Sequence, residues 1–310
     1  MSSLSPLRRS PGRHPHRPRR RIAGVIAVAA SAALLFTGCA GEPSAATKAL
    51  VGASSKSSTT AASVAAVEPA AGSVSGGTIT LTGSNLQNVA SVQIGTRPAA
   101  VTAATADKVT VAVPASQSFQ AGAVPIAVTD KSGKTVATDG KTYDYQVQTP
   151  VDKQLAYAMT YWKDYNSAEW GDLNSVGGDC ANFVSQTLIA RGWTMNDDWY
   201  NKDAAADWSP AWGYVPSMDA YFQANAASLG LTEYPLDQRD KIKVGDIVMF
   251  DWNDNDSLDH VQIVSAVENV DGKIQIKMVG HNEDTDYRDL DTTITVDHPG
   301  AIGHFWSLSK

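Results

Sequence analysis

The sequence predicts a multidomain chain in which an all-β sandwich is followed by an α+β domain. In residues 67–147, short β-branched runs alternate with polar residues between Gly- and Asp-rich turns, which is typical of a sandwich. Residues 152–310 combine a helix-spaced segment after Cys180 with three strand-like runs. A chain of 310 residues is long enough for about two such domains.

The charge distribution argues against a nucleic-acid partner. Residues 1–38 hold seven of the 25 basic residues and no acidic one. The remainder therefore has 18 Lys and Arg against 32 Asp and Glu, so its formal charge is −14, compared with −7 for the whole chain. Phosphate binding needs clustered basic side chains, which such an acidic body does not offer.

The N-terminus has the features of an export signal with a lipid site. Within residues 1–38 a basic segment precedes an apolar one, Ile22–Phe36, which is too short to span a membrane of ~30 Å comfortably. The stretch Leu35–Cys39 resembles the bacterial lipobox, so we expect lipidated Cys39 to anchor the protein to the membrane outside the cytoplasm. A plain signal peptide cut elsewhere is the alternative. Residues 39–66, rich in Ala, Ser and Thr, are expected to form a flexible linker.

The predicted sandwich is defined by four β-branched runs. Pairs such as Gly76-Gly77 and Asp139-Gly140 are turn signals between them. The runs are Thr78–Thr82, Ser91–Ile94, Lys108–Val113 and Val124–Val128.

Short motifs in this region resemble those of the TIG/IPT family of immunoglobulin-like domains. They are Pro69–Gly72, Gly76–Thr78, Gly83–Leu86, Val92–Gly95 and a final aromatic at Tyr143 or Tyr145. The resemblance implies an immunoglobulin-like sandwich. We expect it to act as a spacer in preference to a carbohydrate- or protein-facing module, and its partner is left open.

Cys180 lies where a helix is expected to begin. Gly177-Gly178 form a loop before it, apolar residues then recur at helical spacing, and Gly192 can end the helix. The unpaired N–H groups and positive dipole at a helix N-terminus favour a thiolate and can stabilise an oxyanion. A lone cysteine is equally explained as a small buried apolar residue.

A β-meander after residue 243 supplies a candidate base. His260 opens its middle strand, and His281 follows its third strand, where it could hold the His260 ring by the other nitrogen. A histidine in a strand is also often just a satisfied polar residue. The strand-like runs are Asp246–Phe250, His260–Val264 and Lys273–Val279, the last two joined by an Asp271-Gly272 turn.

Longer motifs resemble a bacterial amidase family of the papain-like cysteine hydrolase clan, related to NlpC-type and CHAP-type cell-wall peptidases. They are Asp179–Gln186, Gly245–Trp252, Asp259–Val264, His281–Asp284 and a helix from Tyr157 to Asn166. The resemblance implies a papain-like α+β catalytic domain over residues 152–310.

Carried over by position, the resemblance makes Cys180 the nucleophile and His260 the general base and acid. His281 becomes the orienting third residue, a role that Asn282 could take instead. Asn182 and Gln186 are expected either to support the site by hydrogen bonds or to pack the helix.

The resemblance implies hydrolysis of amide bonds through a thioester, with peptidoglycan peptides as the natural substrate class and no cofactor. Two alternatives stay open: a catalytically idle surface module that binds wall polymers or a protein, and acyl transfer by the same Cys–His site. The stretch Asp251–Asp256 resembles the start of a calcium loop, but Gln262 stands where that loop needs a carboxylate, so we interpret it as a polar turn. We expect no metal site.

Overall fold

The computed structural model describes residues 61–309. The predicted signal segment, Cys39 and nearly all of the predicted linker lie outside this range. Within it, no helix is both long and apolar enough to cross a membrane.

Residues 63–146 form a strand-rich region consistent with a β-sandwich. Its strands pair in the order β1-β3-β6-β5-β4-β7-β9-β2, and β8 pairs with β7. They are β1 Ser63–Glu68, β2 Ala71–Ser73, β3 Gly77–Ser84, β4 Val89–Ile94, β5 Arg97–Ala104, β6 Lys108–Val113, β7 Gly122–Asp130, β8 Thr135–Val136 and β9 Thr142–Gln146.

All four predicted runs of this region are confirmed as strands. The strand β5, however, was not among them. It carries Pro98 and is rich in alanine, and neither residue type is typical of strands. Pairing with β4 and β6 on its two sides holds β5 in the sheet.

Residues 150–308 form a mixed α/β domain. Its helices are α1 Pro150–Tyr161, α2 Ser167–Trp170, α3 Cys180–Arg191, α4 Pro210–Gly213, α5 Val215–Leu229 and α6 Leu290–Thr292, which continues as a π-helical turn Thr293–Asp297. Its strands are β10 Asn201–Asp203, β11 Asp207–Trp208, β12 Leu231–Pro235, β13 Ile247–Asp251, β14 His260–Val270, β15 Lys273–Gly280, β16 Thr285–Asp289 and β17 Ile302–Leu308.

The centre of this domain is a six-stranded antiparallel sheet ordered β12-β17-β13-β14-β15-β16. The predicted meander is confirmed as β13, β14 and β15. Successive side chains of a strand point to opposite faces. Met249 and Val261 therefore pack in the same core as α3, whereas Val248 and Phe250 pack in a second core with Leu290.

The helix predicted from Tyr157 to Asn166 begins earlier and ends earlier than expected. Thr149 accepts a hydrogen bond from Asp152 N while the Asp152 carboxylate accepts one from Thr149 N, which is a complete capping box. Pro150 stands at the first helical position, where its missing N–H costs nothing. These signals start α1 at Pro150, and it ends at Tyr161.

The buried carboxylate of Asp152 also joins the sandwich to the α/β domain. It accepts hydrogen bonds from Ser73 Oγ at 2.7 Å and Ser75 Oγ at 2.5 Å, and from the N–H groups of Gln148 and Thr149 at 2.9 Å each. Burial raises the pKa of Asp152, but these hydrogen bonds lower it by more. The two domains also share one continuous hydrophobic core cluster.

Candidate active site

Cys180 is the first residue of α3, as the sequence predicted, and the helix ends at Gly192, whose φ of 113° requires glycine. The side chain is almost fully buried, with 6% of its surface exposed. The main-chain N–H groups of Val261 and Ala181 are directed at the sulfur. Val261 follows His260 in β14, so the strand places its first peptide against the nucleophile candidate.

Burial controls the ionisation of this thiol. Loss of water raises the pKa of Cys180 to about 11, although the N–H groups of Val261 and Ala181 act in the opposite direction. The neighbouring Asp179 charge raises it further. The sequence predicted a thiolate, whereas burial in the structure favours the neutral thiol because desolvation outweighs the helix end.

His260 is buried next to Trp252 on the far side of the strand from α3. Its ring stacks on the indole with 5.4 Å between centroids, and its Nε2 has no hydrogen-bond partner within residues 61–309. Burial, together with the charges of Arg288 and His298, lowers the pKa of His260 to about 3. Neither ring nitrogen forms a hydrogen bond to the Cys180 sulfur in the described range, so the thiol and the imidazole are unpaired.

His281 makes different contacts from those expected. Its Nδ1 lies 2.5 Å from Asp179 Oδ2 and its Nε2 lies 2.8 Å from the carbonyl oxygen of Tyr161. The ring is sandwiched between Tyr165 and Phe183. Because both nitrogens are engaged, His281 does not orient His260. It holds Asp179, the residue before the nucleophile candidate.

Asn282 caps the start of the nucleophile helix. Its Oδ1 accepts hydrogen bonds from the N–H groups of Asp179 at 2.6 Å and Cys180 at 2.9 Å, and its Nδ2 donates to Asn174 Oδ1. A Cβ on Gly178 would lie 3.1 Å from the same oxygen, so glycine leaves room for it. Asn282 has a left-handed backbone with φ of 54°. Thus the N–H of Cys180, a natural oxyanion donor, is occupied in this state.

The other predicted supporting residues are buried in α3. Asn182 donates to Asp179 Oδ1 at 2.8 Å and accepts from Trp212 Nε1 at 2.7 Å. Gln186 accepts from the hydroxyl of Tyr157 at 2.8 Å. Asn182 therefore connects the residue before Cys180 to α4, whereas Gln186 connects α3 to α1.

Cys180 lines a groove of about 440 Å³, which we call the thiol groove. Its floor contains Gly177, Gly178 and Cys180. Its apolar wall consists of Trp208, Pro210, Tyr214, Val215, Pro216 and Leu258. Ser257 and Asp259 complete the side near β14.

The predicted calcium-like stretch forms a tight polar turn. The carboxylate of Asp251 accepts hydrogen bonds from the N–H groups of Asn253 at 3.2 Å and Asn255 at 2.9 Å. The side chain that a calcium loop would turn towards an ion is thus used by the turn itself.

Two residues of this site escaped the sequence analysis. Asp179 and Trp252 were each named only as part of a motif. In the structure, Asp179 anchors the loop before Cys180, and Trp252 packs against His260. An acidic residue directly before the helix start is an N-cap signal that could have singled out Asp179. The backbone N–H of Leu173 donates a hydrogen bond to Asp179 Oδ1 at 2.8 Å.

Comparison with known families matches both halves of the described range. A family model described as "Putative amidase domain" matches residues 148–305, about half of the chain. A model of the IPT/TIG domain matches residues 62–145. A comparison with curated proteins found no match.

Three of the matching solved structures are similar over less than a third of this chain. The extracellular region of plexin A4, domains 1 to 8, is 23% identical over 27% of this chain and 8% of that one, with a TM-score of 0.24. A mixed-linkage glucan utilisation protein, SGBP-B of Bacteroides ovatus, solved with a heptasaccharide, is 21% identical over 28% and 23%, with a TM-score of 0.21. An auxiliary nutrient binding protein of the same organism is 22% identical over 29% and 22%, with a TM-score of 0.22. The chain thus spans less than a quarter of each of these structures.

With about half of its residues matched by a single family model, and an IPT/TIG domain preceding them, the chain belongs to the amidase domain family.

Proposed function

We propose that this protein is a cysteine amidase of papain-like fold that hydrolyses amide bonds of peptidoglycan peptides outside the cytoplasm, anchored by lipidated Cys39. The observation that carries the proposal is the position of Cys180, which begins α3 and lines the thiol groove. The family match supports amide-bond hydrolysis in general. The export and anchoring parts rest on the sequence of residues 1–39.

The proposed reaction begins when the imidazole of His260 takes the Cys180 proton and the sulfur attacks the amide carbonyl. The start of β14 has to change its backbone conformation for the imidazole to leave Trp252 and reach the sulfur, because the two groups lie on opposite faces of the strand and are unpaired in the described state. The protonated imidazole then gives its proton to the leaving amine as the C–N bond breaks, which leaves a thioester. Water activated by His260 hydrolyses the thioester and releases a carboxylic acid and free Cys180.

The oxyanion formed during attack needs a hydrogen-bond donor beside the sulfur. The N–H of Cys180 is placed for this, but it donates to Asn282 Oδ1 at 2.9 Å. The amide of Asn282 therefore has to move away when substrate binds. We interpret the described arrangement as a resting state, with a neutral thiol, a neutral imidazole and an occupied oxyanion donor.

The test is digestion of purified peptidoglycan by the full chain, with released fragments identified by mass spectrometry. Hydrolysis produces new free amines and new carboxyl groups in equal number. Formation of new amide bonds without net release of amines would show acyl transfer instead. Binding without any bond change would show a passive surface module and contradict the proposal.

The raised pKa of Cys180 makes a prediction about pH. Only the thiolate is alkylated, so the rate of iodoacetamide labelling should rise about tenfold per pH unit from pH 7 and level off near the pKa of about 11. Free cysteine, with a pKa of about 8.5, should level off much earlier. A Cys39→Ser background leaves Cys180 as the only thiol. Fast labelling that is constant between pH 6 and 8 would instead indicate a preformed thiolate–imidazolium pair.

The cap provided by Asn282 gives a second prediction. Asn282→Gly keeps the left-handed backbone but removes the side-chain oxygen from the N–H groups of Asp179 and Cys180. We expect the free energy of unfolding to fall by about 1 kcal/mol, as for other lost helix caps. We also expect Cys180 to be alkylated several-fold faster, because its N–H, which already lowers the pKa of the thiol, no longer donates to Asn282 Oδ1 as well. Slower alkylation at unchanged stability would indicate that Asn282 supports the thiol instead of blocking it.

A further inference from the structure

The thiol groove carries a charge pattern that restricts the acyl group of a substrate. Among the described residues that line it, the only charged side chain is the carboxylate of Asp259. This residue is exposed, and its Oδ2 accepts a hydrogen bond from the N–H of Trp252 at 2.8 Å, which fixes the carboxylate in place. Neither Lys nor Arg lines the groove within residues 61–309.

The negative charge continues beyond the edge of the groove. A second hollow of about 270 Å³ adjoins the thiol groove, and Ser257 and Leu258 line both spaces. That hollow contains three further carboxylates, of Asp219, Asp251 and Asp256. His304 also lines that hollow, where its Nε2 lies 2.8 Å from Asp219 Oδ1, but neither Lys nor Arg lines either space within residues 61–309. A substrate carboxylate near Leu258 would therefore meet mainly like charges, whereas an ammonium group would be attracted.

The opposite wall of the groove is apolar and rigidly placed. The Trp208 ring packs so closely on Gly213 that a Cβ there would lie 2.8 Å from the ring carbons. Tyr214 and Val176, at the rim, are 55% and 63% exposed, and they are two of the seven large apolar side chains left exposed in the described range. Apolar side chains exposed beside a nucleophile mark a binding surface for an apolar group.

Given the proposed hydrolase, we infer that its substrate is an amide whose acyl side carries an apolar or aromatic side chain, or a cationic one, and no free carboxylate. The acyl group stays bonded to the sulfur as a thioester, so it has to fit the thiol groove. Trp208 and Tyr214 contact the apolar part of the acyl group, and Asp259 favours a positive over a negative charge on it. Within peptidoglycan this chemistry selects amidated or amine-bearing peptides over those with free flanking carboxylates.

The test uses the full chain and two matched series, N-acetyl-X-aminomethylcoumarin amides and N-acetyl-X chloromethyl ketones, with X as Phe, Gly, Lys or Glu. The amides report turnover as kcat/KM. The ketones report groove selectivity without turnover, because the sulfur displaces chloride and becomes permanently alkylated. We expect Phe to exceed Gly, and Lys to exceed Glu, by about tenfold in each series.

Asp259→Asn removes the charge but keeps an oxygen for the Trp252 N–H. It should lower the Lys-to-Glu ratio at least fivefold, whereas Asp139→Asn, the same change on an exposed residue of the sandwich, should leave that ratio unchanged. Equal or faster reaction of the Glu compounds, or an unaltered ratio in Asp259→Asn, would overturn the inference. Selective labelling by the ketones without cleavage of any amide would overturn the hydrolase and leave the inference about the groove standing.

Discussion

Cys180→Ser is expected to lower amide hydrolysis by at least about a thousandfold, because a hydroxyl is a far weaker nucleophile than a thiol in a site tuned for sulfur. The measurement is release of amines from purified peptidoglycan at equal protein concentration. Serine has nearly the same shape as cysteine and can accept hydrogen bonds from the same two N–H groups, of Val261 and Ala181. The fold should therefore be kept, with a melting temperature close to that of the unmodified protein.

The chain offers a matched control for this substitution. Cys39→Ser makes the same chemical change at the other cysteine, and the purified protein should then digest peptidoglycan at the unmodified rate. Retained turnover in Cys180→Ser would remove the cysteine mechanism. Loss of turnover in both variants would instead indicate a requirement for Cys39 in the assay.

His281→Leu is expected to lower the free energy of unfolding by about 3–5 kcal/mol, because it leaves the buried Asp179 side chain without one of its partners. The carboxylate of Asp179 has no exposed surface and would lose its 2.5 Å contact with the ring, and Tyr161 O would lose its partner at 2.8 Å. For about 250 residues this corresponds to a fall in melting temperature of roughly 6–20 °C. Thermal unfolding measures it directly.

A double-mutant cycle separates the buried charge from general packing. Asp179→Asn keeps a group that can hydrogen-bond to Leu173 N but removes the charge. If the loss comes from the unpaired carboxylate, His281→Leu should cost at least about 1 kcal/mol less in the Asp179→Asn background. An equal cost in both backgrounds would show that stacking on Tyr165 and Phe183 is the larger part of the effect.

Local patterns in the sequence predicted the elements but not their contacts. The start of α3 at Cys180, its end at Gly192 and the three strands of the meander follow from turn signals and periodicity that act within a few residues. The capping of Cys180 by Asn282 joins residues that are 102 positions apart. Periodicity places each of them in an element, but it does not determine which side chain lies across from which.

Electrostatics was the least predictable property of the site. A cysteine at a helix N-terminus normally has a lowered pKa, and the sequence therefore predicted a thiolate. In the structure, the core formed by α3 and β14 closes over the sulfur, and burial raises the pKa of Cys180 while lowering that of His260. Solvent access depends on how whole elements pack, and this information is absent from any short motif.

The hydrogen bonds between Asp152 and the serines of β2 and its following turn, Ser73 and Ser75, bear on any attempt to excise the enzyme. A fragment that starts at residue 148 would leave that carboxylate without two of its four donors, and would bare apolar surface that the sandwich now covers. The sandwich is thus part of the catalytic half's own folding unit. Because the two halves share a hydrophobic core and these hydrogen bonds, whatever the sandwich binds would set the direction in which the thiol groove faces.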